Sequence, residues 1–181
     1  MSKPRKRAPL DASGLWEFAL KTLGARACSS GELRQKLRLR AERAEDVDAT
    51  LARLKEYRYL DDRRFAESFA AARLENQQFG KHRVVRDLLR RRIAPALAES
   101  TAGKTFQQVD EIALIEQHIR RKYRGKKRVG LFKEEKDLAS AYRRLLRAGF
   151  STGNIIRVLK RFAANPELLD GFEPPAEPDE E

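Results

Sequence analysis

The segment AESTAGKT, residues 98–105, ends in Gly103–Lys104–Thr105, which is how a phosphate-cradling loop ends. Such a loop needs a second glycine five positions before Gly103, so that consecutive backbone N–H groups can wrap the phosphates. It also needs a buried strand to deliver it to a helix start. Ala98 stands where that glycine belongs, and the preceding RDLLRRRIAPAL, residues 86–97, reads as a charged amphipathic helix followed by proline. The expectation is a short, weak helical piece after Pro95 and then a polar loop with Gly103 as its flexible point, not a nucleotide-hydrolysing site.

The other reactive side chains are scattered. The single cysteine, Cys28, leaves no partner for an intramolecular disulfide and no cysteine cluster for a metal. It precedes Ser29 and Glu32, which are spaced as a helix-capping box, and it pairs with Leu33 as the staple that accompanies such a box, so its role is structural. His82 lies among Lys81, Arg83 and Arg86, where a phosphate is conceivable but a solvated surface histidine is the simpler reading. His118 has Gln117 and Arg121 beside it and no acid or thiol with which to build a metal or nucleophile site. No pair of carboxylates stands in an apolar segment. No catalytic, metal-binding or cofactor-binding residue is therefore assigned.

Arginine is the residue type whose spacing does carry a function. Arg83, Arg86 and Arg90 recur at i, i+3 and i+7, one face of a helix. Between 120 and 136 stand Arg120, Arg121, Lys122, Arg124, Lys126, Lys127, Arg128, Lys133 and Lys136, against Glu134 and Glu135 as the only acids. From 138 to 166 there is no acid, yet Arg143, Arg144, Arg147, Arg157, Lys160 and Arg161 are present. Arg143 with Arg147, and Arg157 with Arg161, are like-charge i, i+4 pairs, each costing about 0.2–0.5 kcal/mol in an isolated helix. Accumulating such pairs favours an external anion over a merely solvated face. The early part of the chain differs: Glu45, Asp46, Asp48, Glu56, Asp61 and Asp62 give it an acidic surface, which suits contact with a protein of mixed charge.

The elements that must position these side chains are helical throughout. A first helix from near Ser13 carries Trp16, Ala19, Leu20 and Leu23 on one stripe. The second starts at the Ser29 cap and continues through Leu33 and Leu37. The third, from about Glu45–Asp46, buries Val47, Leu51 and Leu54. Asp61 caps a fourth, with Leu60 and Phe65 as staple and Phe65, Phe69 and Ala72 on one face. The fifth runs from about Lys81 with Val84, Val85, Leu88 and Leu89 inward. After the weak piece come a helix from about Gln107 to Tyr123, a break at residues 124–130, and a helix from about Glu134 to Ala148 ended by Gly149. The last helix is capped by Ser151 and carries Ile155, Leu159 and Phe162.

Val47, Leu51 and Leu54 repeat the spacing of Ile155, Leu159 and Phe162, each after an Arg- and Leu-rich helix and a short loop. Three helices three times over, with a period of roughly 45–50 residues, mark a small-repeat array. The divisions are repeat 1 at 13–60, repeat 2 at 61–106 and repeat 3 at 107–165. A basic tail, 1–12, and an acidic Pro-rich tail, 166–181, have compositions that cannot build a core.

Over 181 residues, 41% of the chain is hydrophobic and 36% charged, which suits thin helical layers with much surface. The net charge of +12 points to a polyanionic partner. No apolar run is long enough to span a membrane, and lone Cys28 fits the reducing cytoplasm.

YLDDRRFAESFAAARL (59–74) and FGKHRVVRDLLRRRIA (79–94), together with ACSSGELRQKL (27–37) and RKYRG (121–125), resemble the signature regions of the RecX family of bacterial recombination regulators. The resemblance covers roughly residues 13–165. Two departures stand out: Gly80–Lys81 where the family usually has Gly-Pro, and Arg91, Arg92 and Ile93 where it usually has Lys-Gly-Ile. Residues 95–106 do not follow the expected well-formed helix. The resemblance implies an all-α fold of three tandem three-helix repeats in an elongated, curved array. It also implies a non-enzymatic protein that lies in the groove of the RecA–DNA filament, inhibits RecA ATPase, filament growth and strand exchange, and so modulates recombination and DNA repair; a monomer is the default expectation. Its partners would be the RecA filament and single- and double-stranded DNA. The residues assigned to that contact are Arg83, Arg86, Arg90, Lys122, Lys126, Lys127, Arg128, Arg143, Arg144, Arg147, Arg157, Lys160 and Arg161. The alternative is a basic helical module that binds nucleic acid without a recombinase partner.

Overall fold

The computed structural model describes residues 8–123, 130–165 and 167. Among them are nine α-helices: α1 (Ala12–Ala25), α2 (Ser30–Arg38), α3 (Ala44–Glu56), α4 (Asp62–Gln77), α5 (Lys81–Arg90), α6 (Pro95–Phe106), α7 (Glu111–Lys122), α8 (Glu135–Arg147) and α9 (Thr152–Phe162). The described residues contain no strand, only two isolated bridges, Leu10 with Ala41 and Phe132 with Ala163. The chain is an all-α helical repeat fold. Of the expected tails at 1–12 and 166–181 and the break at 124–130, residues 1–7, 124–129, 166 and 168–181 lie outside those described; within the expected basic tail, Leu10 bridges to Ala41 and Asp11 caps α1.

Two compact units form. One takes the chain up to Ala70 together with Asp87–Thr101; the other takes Ala71–Arg86 and the chain from Ala102. In the first unit α1–α3 close over Leu15, Ala19, Leu33, Leu37, Val47, Leu51 and Leu54, with Cys28 and Leu60 buried in the same cluster. In the second, α7–α9 close over Ile115, Ile119, Leu138, Tyr142, Leu145, Ile155, Leu159 and Phe162. In both, the buried residues recur at the three- and four-residue spacing of a helix face.

Several starts follow from adjacent residues. Ser29 and Glu32 form the complete capping box of α2. Asp61 accepts from the Arg64 amide at 3.0 Å at the start of α4. α7 begins later than the periodicity suggested, because Asp110 caps it by accepting from the amides of Ile112 (2.9 Å) and Ala113 (3.1 Å). Ser151 occupies the cap position of α9, but its side chain makes no cap bond there; its hydroxyl donates to the Glu111 carboxylate instead.

α3, α5 and α8 end alike. After α8, Gly149 donates to Leu146 (2.9 Å) and Phe150 to Leu145 (3.3 Å), with Gly149 at φ 90°. This is the Schellman pattern, in which glycine is the usual left-handed residue. Arg58 after α3 and Arg92 after α5 hold the same position at φ 57° and 58°, with the same pair of bonds.

Three expectations are corrected. Residues 95–106 are not a weak piece and a loop: α6 is a continuous helix with Gly103 inside it. Pro95 is tolerated at the first helical position, and Ala98, Thr101 and Ala102 are buried, which outweighs the cost of about 1 kcal/mol for an interior glycine. A phosphate-cradling loop at Gly103–Lys104–Thr105 is thereby excluded. On α5, Leu89 faces outward with 41% of its surface exposed, while Val84, Val85 and Leu88 are buried. On α4 the buried face belongs to Ala66 and Ala70; Phe65 and Phe69 are only half-buried and Ala72 is exposed.

Candidate nucleic-acid interface

The second unit positions most of the assigned cations. α8 turns Leu138, Ala141, Tyr142 and Leu145 inward, which leaves Arg143 and Arg147 adjacent on its solvent side, one helical turn apart. α9 buries Ile155, Val158, Leu159 and Phe162, which turns Arg157 outward and leaves Lys160 half-buried at the edge. Among the described residues, Arg143, Arg147 and Arg157 are in no ion pair.

Arg83 and Arg86 are brought to Arg147. Both guanidinium groups donate to its backbone carbonyl, each at 3.3 Å. That carbonyl lies at the C-terminal end of α8, where the helix dipole favours cations. The two side chains are half-buried and hold α8 in place, whatever else they touch. Beside them the Gly80 amide donates to the Ala148 carbonyl (2.8 Å) and the His82 amide to the Gly149 carbonyl (3.1 Å). The first turn of α5 thus docks on the last turn of α8. The first unit contains a similar joint, where the Ser29 hydroxyl donates to the Arg91 carbonyl at the end of α5. Arg91 also binds the Glu32 carboxylate at 2.9 Å.

The remaining assigned residues separate. Arg90 belongs to the first unit, 3.7 Å from the Asp87 carboxylate. Arg144 turns toward Tyr123, whose hydroxyl accepts from it at 3.4 Å. Arg161 is held by Glu116 at 2.8 Å, and the same carboxylate takes Arg120 at 2.8 Å. Lys122 is exposed in the last turn of α7. Lys126, Lys127 and Arg128 lie outside the described residues. Periodicity could not find Glu116 as a neutralising partner, because its second partner is 45 positions away.

Two titratable groups support this unit. Burial pushes the Glu111 carboxyl up, but hydrogen bonds from Ser151 and Asn154, with His82 nearby, outweigh it and hold the group below the usual range. The Ser151 amide reaches it at 2.9 Å, so Glu111 serves as an anion at the start of α9. His118 packs edge-on against Phe150, 5.7 Å between ring centres. Burial, then Arg121 and Arg144, hold its imidazole below the usual value and therefore neutral. His82 is exposed. Among the described residues no three His, Cys, Asp or Glu side chains gather as a metal site requires, and no helix is long and apolar enough to cross a membrane.

The acidity expected of the first unit is mostly used internally. Asp48 pairs with Arg34 and Glu45 with Arg43, Asp61 caps α4, and Asp62 accepts from the Ser30 amide at 2.7 Å.

The chain is similar to known proteins in sequence and fold. A family model described as RecX, second three-helix domain, matches residues 61–101. The chain is 33% identical to the regulatory protein RecX of Ralstonia pickettii over 170 residues, which is 92% of this chain and 96% of that protein. It is 30% identical to that of Salmonella typhimurium over 173 residues, covering 90% and 99%. For the Deinococcus radiodurans protein the identity is 33% over 161 residues, covering 86% and 72%. The crystal structure of RecX from Lactobacillus salivarius superimposes with a TM-score of 0.64 at 19% identity, over 83% of this chain and 96% of that one. A second crystal structure, of a regulatory protein RecX, gives 0.61 at 18%, over 82% of this chain and 73% of that one. Those two likenesses concern the fold alone.

Proposed function

The chain belongs to the RecX family of regulatory proteins, and from that premise we propose that it binds the RecA–DNA filament and restrains RecA ATPase, filament growth and strand exchange. The observation that carries the proposal is the outward cationic surface of α8 and α9, where Arg143, Arg147 and Arg157 are exposed and in no ion pair among the described residues. Guanidinium groups so placed meet phosphate, or the carboxylates of a protein bound to DNA, without reading base sequence. Arg83 and Arg86 add positive charge beside Arg147 while securing the end of α8.

In this reading the protein is a binding device rather than an enzyme. Residues 13–60, 61–106 and 107–165 are its three successive modules, acting as a monomer in the cytoplasm. Contact with RecA itself is assigned to the first of them.

The test is a titration of the purified protein into RecA turning over ATP on single-stranded DNA. A filament regulator inhibits at amounts well below one copy per DNA site. A module that only competes for DNA needs near-stoichiometric coverage, and that outcome would replace the proposal with plain nucleic-acid binding.

A further inference from the structure

The first unit carries a groove of about 550 Å³ that the basic surface of α8 and α9 does not explain. Its lining includes Tyr59, Phe65 and Phe69 together with Arg58, Arg64 and Arg91. Phe65 and Phe69 stack, with centroids 5.9 Å apart and planes 21° from parallel, and the Arg91 guanidinium lies 5.6 Å from the Phe69 centroid. Tyr59 is 58% exposed and Tyr57 56% exposed, large values for rings that a core could have buried. Trp16 extends this aromatic surface, 6.5 Å from Tyr59 and 6.0 Å from Tyr57, with the Arg53 guanidinium 4.1 Å above its ring.

We propose that this groove receives an unstacked base of single-stranded nucleic acid, with the flanking phosphates on Arg58 and Arg64. Charge argues for an anion: Glu32 pairs with Arg91, but Arg58 and Arg64 also line the groove and are in no ion pair among the described residues, while an oxygen of its one lining carboxylate, Asp61, is engaged by the Arg64 amide. Ring faces argue for the base, since every base offers a π-face and stacking on aromatic side chains is how strands are held without sequence readout. The volume lies within the roughly 300–1,000 Å³ of small-molecule sites, enough for a planar heterocycle. A duplex keeps its base faces stacked and can offer only phosphate. Arg58 occupies the left-handed position where glycine is usual, and it is one of the residues that line the groove.

This site is built from residues of the first unit, the α8 and α9 surface from the second, and it is read by its own signal. Trp16 is the only tryptophan of the chain, so its fluorescence reports on the Tyr59 neighbourhood alone. Titration of the full chain with a short oligo(dT) at low salt is expected to quench Trp16 saturably, and a duplex of equal length to leave it unchanged. By anisotropy of labelled oligo(dT), Tyr59→Ala is expected to weaken binding about tenfold, the size of one lost base stack, Tyr59→Phe to retain it, and Arg64→Glu to weaken it by about as much through a lost phosphate contact. Thermal unfolding at the wild-type midpoint shows that the exposed replacements leave the fold intact. The charge reversal Arg143→Glu, Arg147→Glu, Arg157→Glu is expected to keep the Trp16 response, so failure of the filament proposal and failure of this one are distinguishable. No Trp16 response to oligo(dT), or equal weakening of strand and duplex binding by the groove variants, overturns the proposal. So does a groove variant that loses affinity for DNA-free RecA while oligo(dT) binding is unchanged, because the groove would then be a peptide site.

Discussion

Gly80 and Gly149 meet backbone to backbone: a Cβ built on Gly80 would stand 2.2 Å from the Gly149 carbonyl oxygen, and one on Gly149 2.2 Å from the Arg83 amide nitrogen. This contact lets the first turn of α5 deliver its amides to the carbonyls that end α8, and it sets Arg83 and Arg86 beside Arg147. Gly80→Ala is expected to lower stability by about 1–3 kcal/mol through overpacking. Gly149→Ala should cost at least as much, since its φ of 90° is also unfavourable for a side chain. Urea unfolding measures both. Gly24→Ala, in the last turn of α1 where an added Cβ meets nothing within 4 Å, serves as the control and should not lower stability.

Gly103→Ala tests the helical assignment of residues 95–106. An added Cβ there meets nothing within 4 Å, and the residue lies inside α6. The replacement is expected to raise stability by about 0.5–1 kcal/mol, as alanine does at an unstrained helix interior. A loss of stability would contradict a helix through this segment.

Glu111 gives the second unit a pH dependence. Its carboxyl titrates below the ordinary range in the folded chain, so the stabilisation it provides is complete above the unfolded value of about 4.3. That stabilisation is lost as pH falls through the lower folded value. Glu111→Gln is expected to cost about 1 kcal/mol at neutral pH, a modest figure for a charged acceptor that is partly open to solvent. The difference from wild type should shrink toward zero in acid, where the native carboxyl is itself protonated. Unfolding midpoints across the acid range measure it, and a difference independent of pH would contradict the role.

Two groups of arginines should behave differently. Arg83→Glu with Arg86→Glu removes donors from the Arg147 carbonyl and places anions at the negative end of α8, so it should lower the unfolding midpoint. Its cost should be about 1–2 kcal/mol. Loss of DNA affinity in that variant is then partly loss of structure. Arg143→Glu, Arg147→Glu and Arg157→Glu alter exposed side chains and should leave unfolding within about 0.5 kcal/mol of wild type per site. Their effect should appear in the salt dependence of DNA binding, whose slope falls by about one for each phosphate contact removed.

The parts of this fold that could be read from the residues are those encoded locally. Ser29 with Glu32, and Gly149 after α8, carry their caps in adjacent positions, and the triplets Val47–Leu51–Leu54 and Ile155–Leu159–Phe162 show their buried faces by spacing alone. α6 escaped because Gly103 and the polar AESTAGKT composition argue locally for a loop, whereas burial of Ala98, Thr101 and Ala102 decides for a helix. The Schellman turns at Arg58 and Arg92 escaped because no glycine marks them. The candidate interface was legible as a density of arginine, but not in its parts. Glu116 neutralises Arg161 from another helix, and Arg83 and Arg86 find a carbonyl more than 60 positions away. In the sequence, Tyr59 stands out only as part of a signature and Trp16 only as part of an apolar stripe.

The central claim is that the exposed arginines of α8 and α9 grip the RecA–DNA filament. Its most direct test compares wild type with Arg143→Glu, Arg147→Glu, Arg157→Glu in the RecA ATPase titration on single-stranded DNA, with unfolding midpoints measured in parallel. The account predicts that at least about tenfold more of the variant is needed for half-inhibition, as expected when several charge-assisted contacts are reversed together, with the midpoint unchanged. Equal inhibition by a variant that folds as well as wild type would contradict it.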